Sequence, residues 1–147
     1  MSRILFINSS PNRGGNTARL AAALLEGKDY ETLNLTDYKI YGYGQHFPDD
    51  QFAEVIAKIK AADTVVFGSP LYWHNLSGLL RAFMDHCYGM VSEGEFSGKD
   101  MYAVVQGAAP EKWMLEACEY TMSRFAMVVG FTYKGMATNT AQARKMR

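Results

Sequence analysis

The sequence predicts an α/β fold, a parallel sheet with helices on both faces. Two observations carry that reading. Short apolar runs alternate with stretches of helical periodicity along all 147 residues. The clearest of these runs are continuous rather than alternating, as in strands buried on both faces. Such β-α alternation argues for a parallel sheet, and right-handed crossovers leave few topologies.

Ile4 to Ile7 is the first strand, ending in a polar stretch. Thr17 to Leu25 follows as a helix rich in Ala and Leu, with Asn16 as its expected N-cap and Gly27 as its stop. Tyr30 to Leu35 is a second, weaker strand. Thr36 to Asp50 is irregular and aromatic, with Tyr38, Tyr41, Tyr43, His46 and Phe47; so long a loop is usually functional or disordered. Phe52, Val55, Ile56 and Ile59 recur at helical spacing, which sets a helix over Asp50 to Ala61. Thr64 to Phe67 is the third strand, closed by Gly68-Ser69-Pro70. Ser77 starts, or lies in the first turn of, a helix that runs to Cys87. Met101 to Val105 is the fourth strand, and Met114, Cys118, Met122 and Phe125 mark the next helix. Phe131 to Met136 is the fifth strand. One domain is expected over residues 1–137, with residues 138–147 a polar, basic tail carrying Arg144, Lys145 and Arg147. A helix after the last strand is then absent or reduced, so part of one sheet face needs another cover, a second copy of the chain or the tail itself.

Charge narrows the function. The chain has 15 Lys and Arg against 15 Asp and Glu, so it lacks the excess positive charge of a general nucleic-acid or anionic-membrane binder. Its two cysteines, Cys87 and Cys118, form no CxxC pair, which argues against a disulfide framework or structural zinc and for a cytoplasmic protein. No run approaches the roughly 18 apolar residues of a membrane span.

In an open α/β sheet, ligands bind beyond the carboxyl ends of the strands. The loops meeting there are 9–16, 69–75 and 106–111. The first combines Ser10, Arg13, Gly14, Gly15, Asn16 and Thr17 with a helix N-terminus, a natural anion site. It equally reads as a turn capped by Asn16 alone. No GxxxxGK[ST] occurs, and the near miss to GxGxxG, Gly42-Tyr43-Gly44, precedes no immediate helix. The second loop, Pro70-Leu71-Tyr72-Trp73-His74-Asn75, offers stacking surface to a flat conjugated ring, although aromatic packing at a domain edge gives the same residues. A solvated loop position accounts for His74 better than a proton-donating role does. Cys118 to Arg124 matches a CxxxxxR phosphatase pattern by chance, since a helical stripe offers no free amides to cradle phosphate. A receiver domain fails because Asn8-Ser9 and Gly68-Ser69 stand where acidic residues are needed.

Ser9-Ser10-Pro11-Asn12-Arg13-Gly14-Gly15-Asn16-Thr17 resembles the phosphate loop of the flavodoxin-like NAD(P)H-dependent FMN reductases. The stretch from Ser69 through Tyr72-Trp73 and Ser77-Gly78 to Asp85 resembles their longer signature segment, and the two motifs stand in the right order. The resemblance implies a flavodoxin-like open five-stranded parallel sheet in the order 2-1-3-4-5. It implies FMN phosphate contacts from Ser10, Asn16 and Thr17. Asn12, Arg13 and Gly15 complete that loop. Pro70, Leu71, Tyr72, Trp73, His74 and Asn75 are expected along the isoalloxazine, and Gln106 and Gly107 in the third flavin loop. Asn12 stands where the family usually has Arg, Ser9 replaces a usual Gly, and segment 36–50 lacks the paired cysteines with which some relatives hold iron–sulfur clusters. No cluster or other metal is expected.

The implied function is an FMN-dependent oxidoreductase. NAD(P)H reduces the flavin, which passes electrons to a small acceptor such as flavin, a quinone, a nitroaromatic or a metal ion. The flavin carries the chemistry, so no catalytic side chain is assigned. The alternatives are an FMN-binding electron carrier without substrate turnover, which the neutral charge disfavours, and a flavin-free binding protein. The aromatic segment is expected at the crevice rim or against a partner subunit.

Overall fold

A computed structural model describes residues 2–146. Met1 and Arg147, at the ends of the N-terminal and tail readings, lie outside the described residues. The elements run β1 (Ile4–Asn8), α1 (Asn16–Leu24), β2 (Glu31–Asn34), a 3-10 turn (Leu35–Asp37), α2 (Phe52–Lys60), β3 (Thr64–Tyr72), β4 (Asn75–Leu76), α3 (Gly78–Cys87), β5 (Asp100–Gln106), α4 (Lys112–Val129), β6 (Thr132–Ala137) and α5 (Thr140–Met146).

The sheet order is β2-β1-β3-β5-β6, all parallel along that path, with β4 paired antiparallel to the end of β3. The expected order 2-1-3-4-5 is therefore corrected in its last two numbers. The cause is local: β3 runs past Phe67 through Gly68-Ser69-Pro70 to Tyr72 and turns back as β4, a two-residue strand. Proline does not stop β3, because β1 pairs with it only as far as Gly68. Beyond that point one edge is free, and the missing Pro70 N–H costs no ladder bond there.

Alternation along the strands divides the core. Leu5, Ile7, Val65, Phe67, Met101, Ala103 and Val105 face α2, α3 and α4. Phe6, Val66 and Val104 face α1 and α5. The second cluster corrects the reading of residues 138–147 as a tail. Thr140 to Met146 form a helix with Ala143 buried beside α1, so a reduced fifth helix covers the face. The sequence hides it because α5 is seven residues long and largely polar.

Helix α1 corrects a second expectation. Its N-cap is Gly15, and Asn16 is the first helical residue; Asn16 Oδ1 accepts from Arg19 Nη1 at 2.8 Å instead of capping an amide. At the other end of the chain, Gly130 closes α4 at φ +102°, a left-handed conformation that L side chains rarely adopt. A Cβ there would lie 2.8 Å from both Gly94 Cα and Ser97 Oγ. Gly130→Ala therefore combines backbone strain with overpacking and is expected to cost about 2–4 kcal/mol. Urea unfolding measures it, and a loss below about 0.5 kcal/mol, the range of an ordinary surface substitution, would refute the reading.

Candidate functional site

Three loops meet at the carboxyl edge of the sheet, and buried serines hold two of them together. Ser9 and Ser69 are fully buried and Ser77 nearly so. Ser9 Oγ donates to the Gly68 carbonyl at 2.7 Å. Ser77 Oγ lies 2.9 Å from Ser9 Oγ and 3.0 Å from the Ser9 carbonyl oxygen. Ser77 N donates to Ser69 Oγ at 2.9 Å, and Ser77 Oγ also accepts from Leu80 N, capping α3 as its sequence position predicts. Ser77 thus fixes the start of α3 to both loops, its hydroxyl to Ser9 after β1 and its backbone N–H to Ser69 of β3.

The first loop wraps the start of α1. Ser10 and Thr17 are buried, and Ser10 Oγ accepts from Asn12 N at 3.0 Å. No side chain caps α1. Its first-turn amides therefore keep their donor capacity, at the positive end of the helix dipole. The Asn12 side chain lies against Gly15, where an added Cβ would meet Asn12 Cβ at 2.9 Å. Arg13 is drawn aside into an ion pair with Asp37.

The second loop is a tight hairpin. Leu71 pairs with Leu76 and Tyr72 with Asn75, which leaves Trp73 and His74 as the two-residue turn. Both have positive φ, +50° and +67°. A two-residue turn of that hand is the type I′ geometry that ordinarily calls for Asn-Gly. Two bulky residues in it store roughly 1–3 kcal/mol each. The His74 ring packs edge-on to Trp113 of α4, with centroids 5.6 Å apart, while Trp73 is 95% exposed. Asn75 Oδ1 accepts from Leu76 N at 2.8 Å.

The third loop joins the other two. Gln106 Nε2 approaches Thr17 Oγ1 at 3.4 Å, and Gln106 is in register with Pro70. A Cβ on Gly107 would be 3.0 Å from Leu71 Cδ1. Between the hairpin and residues 107–110 lies a crevice of about 250 Å³, reaching Trp73, His74 and Met114. Larger hollows of about 330 and 360 Å³, around Ile4 and Asp29, sit at the amino ends of the strands, the wrong edge for ligand binding in this fold class.

The geometry thus gathers Ser10, Gly15, Thr17, Pro70, Leu71, Trp73, His74, Gln106 and Gly107 around one edge. It directs Arg13 and the Asn16 amide oxygen elsewhere, and leaves Tyr72 largely exposed. Sequence reasoning missed the serine cluster and Gly68. A Cβ on Gly68 would fall 2.6 Å from the Phe6 ring and 2.8 Å from Thr17 Cγ2, so glycine is what lets α1 approach β3. Hydroxyl residues closing two adjacent strands, with a third at a helix N-cap, were the available signal. Asp37 ties the aromatic segment to the first loop through its ion pair with Arg13. Part of the segment rests on the end of α3, where His86 Nδ1 donates to the Tyr41 carbonyl at 3.0 Å, and Tyr43 packs on Tyr88. Burial pushes the Cys87 thiol up to about 12 and the Cys118 thiol to about 11, so neither is a thiolate nucleophile at neutral pH.

Comparison with known proteins shows the family and the fold. The family model for NADPH-dependent FMN reductases matches residues 2–143. An NAD(P)H-dependent FMN-containing oxidoreductase of Bacillus subtilis is 32% identical over 91 residues, 56% of this chain and 50% of that protein. An iron-sulfur flavoprotein of Archaeoglobus fulgidus is 30% identical over 96 residues, 56% of this chain and 47% of that protein. The matches thus span about half the length of these relatives. In fold, the Trp repressor binding protein of Bacillus subtilis superposes with a TM-score of 0.78 at 21% identity, covering 98% of both chains.

Ser77→Ala removes a cap and leaves buried hydrogen-bonding groups at Ser9, so it is expected to cost about 2–3 kcal/mol. Ser77→Thr keeps the hydroxyl and is expected to lose less. Equal unfolding midpoints for Ser77→Ala and the unsubstituted chain would refute the role given to this serine.

Proposed function

The chain belongs to the NADPH-dependent FMN reductase family, and from that membership and the geometry of the three loops we propose that it is an FMN-dependent oxidoreductase reducing a small acceptor. Bound FMN would supply the redox chemistry, taking hydride from NAD(P)H and giving electrons to a flavin, quinone, nitroaromatic or metal ion. The observation that carries this reading is the uncapped N-terminus of α1 beside two buried hydroxyls, Ser10 and Thr17, at the edge of the crevice.

The residues fit the group. A phosphate needs donors and positive potential, and the first-turn amides, the helix dipole and these hydroxyls provide both without Arg13. Gln106 orients the Thr17 hydroxyl. The hairpin at residues 70–75 and the loop at residues 107–110 would flank the ring. Their contribution is placement: the strained Trp73-His74 turn is held from below by the Leu71–Leu76 pair and from the side by Trp113. Met114 and the half-buried Leu71 line the crevice. The residues do not fit an iron–sulfur cluster of the kind the Archaeoglobus relative's name denotes. Segment 36–50 has no cysteine, and both cysteines of the chain are buried elsewhere. Flavin is then the sole redox group in this reading. Two free thiols suit a reducing compartment, so we place the enzyme in the cytoplasm, paired with a second copy of itself. Among the described residues no helix is long and apolar enough to cross a membrane.

The decisive measurement is the visible spectrum after FMN loading and desalting, followed by anaerobic NADPH and, separately, NADH. Retained flavin that bleaches within seconds is expected. Retained flavin that neither reductant bleaches would make the chain an electron carrier, and absence of binding would remove the flavin reading.

The phosphate contact has its own test. Thr17→Ala is expected to weaken FMN by about tenfold or more, the worth of one hydrogen bond to a charged group, with riboflavin changed far less. Thr17→Ser should retain FMN. Equal losses for FMN and riboflavin in Thr17→Ala would place the phosphate elsewhere.

A further inference from the structure

The crevice has two walls, and they are held in different ways. The hairpin at residues 71–76 forms one, tied to the base of the site through Ser69 and Ser77. Residues 107–110 form the other. Among the described residues, Ala108, Ala109 and Pro110 make no hydrogen bond, so that wall is held at its ends, by β5 and by α4.

The walls meet at two points. At the base, Gly107 lies so close to Leu71 that a Cβ there would come within 3.0 Å of Leu71 Cδ1. At the outer end, two contacts in series join them. Glu111 follows the second wall directly and is the N-cap of α4. Its Oε2 accepts from Trp113 Nε1 at 2.7 Å. The Trp113 indole then meets the His74 ring of the opposite wall, with 5.6 Å between centroids and 71° between planes.

The second of these contacts falls where the hairpin most needs it. His74 holds φ +67°, after Trp73 at +50°, and a bulky residue is strained in both places. Backbone pairing ends at Tyr72 and Asn75, so it does not fix the two turn residues between them. A glycine at position 74 would relieve the strain but would leave the indole nothing to grip. Trp113 itself does not line the crevice, whereas His74 does. Its influence on anything bound there passes through His74.

We propose that Trp113 is a positioning residue for the flavin ring: it clasps His74 to Glu111 and so sets the spacing of the two walls. This rests on the flavin reading above and deepens it by naming what fixes the width of the ring site. The clasp acts on the flat ring, which FMN and riboflavin share, and not on the phosphate, which only FMN carries. Its loss therefore has a different signature from the loss of the Thr17 hydroxyl.

Titration of the full chain with FMN and with riboflavin, read by flavin fluorescence, tests the clasp in W113A, W113L, W113F, H74G and H74G/W113A. Urea unfolding of each variant separates binding from folding. W113A is expected to weaken both flavins alike, by about three- to tenfold, the worth of an aromatic pair. W113L keeps apolar bulk without a ring and should lose as much. W113F keeps a ring against His74 and should retain most of the affinity. H74G should lose affinity as W113A does, and adding W113A to it should cost nothing more, because the two residues act as a unit. An unchanged affinity in W113A, a loss confined to FMN, W113L binding as well as W113F, or a full further loss in H74G/W113A overturns the proposal. An unsubstituted chain that binds neither flavin overturns the flavin reading and this proposal with it. The clasp fails alone when the unsubstituted chain binds flavin and the variants bind it equally well.

Discussion

The site depends on one buried hydroxyl. Ser77 Oγ meets Ser9 and caps α3, while its backbone N–H is held by Ser69. The loops after β1 and β3 have no ladder between them beyond Asn8 and Gly68, where the strand register stops. Past that edge one backbone bond, from Ser9 N–H to the Gly68 carbonyl at 2.9 Å, and the serine side chains keep the two loops in a fixed relation. Three serines do so with no charge and little volume, which suits a place where α1, α3 and β3 converge. A buried hydroxyl left unpaired costs more than a paired one contributes, so the cluster is cooperative: each member is satisfied only while the others are in place.

That fixed relation lets the hairpin hold an unfavourable turn. Trp73 and His74 at positive φ would relax if the strands flanking them were free. The strands are not free. Leu71–Leu76 pairing anchors one end, Ser69 and Ser77 close the base, and Trp113 braces the His74 ring from α4. Strain of this kind persists where the surroundings over-determine it, and such places cluster at ligand sites. The backbone beside the crevice is thus set before any ligand arrives, which reduces the ordering cost of binding.

Most of the fold was legible from periodicity, because buried parallel strands and amphipathic helices each leave a strong local signal. β1, α3 and β5 fall close to where their apolar residues place them. The misreadings share one cause, a local rule overridden by a tertiary contact. Gly68-Ser69-Pro70 reads as a strand end, yet Gly68 is a close-approach residue for Thr17 and Phe6, and the strand continues. Asn16 is a good cap by type, but the chain enters α1 one residue earlier, at Gly15. Helix α5 carries too few apolar residues to show a stripe; its single buried Ala143 has meaning only against α1. In the site, residue types identified the loops but not the partners. Nothing local says that Arg13 turns to Asp37, 24 positions away, or that Gln106 meets Thr17.

The same contrast explains why α4 holds two kinds of information. Its buried stripe is fixed by the core and would be apolar in any chain of this fold. The outer stripe is under no such requirement, since water is its default neighbour and a polar residue there costs nothing. An indole, a phenol and a thioether on that face therefore need a reason that the fold of one chain does not supply. Trp113 has one in part, through His74 and its Nε1 bond to Glu111 Oε2 at 2.7 Å. Tyr120 and Met127 have no comparable contact with the sheet or the loops. Their seven-residue spacing from Trp113 sets all three on one exposed stripe. The end of α4 that braces the crevice is thus also one end of its exposed apolar stripe.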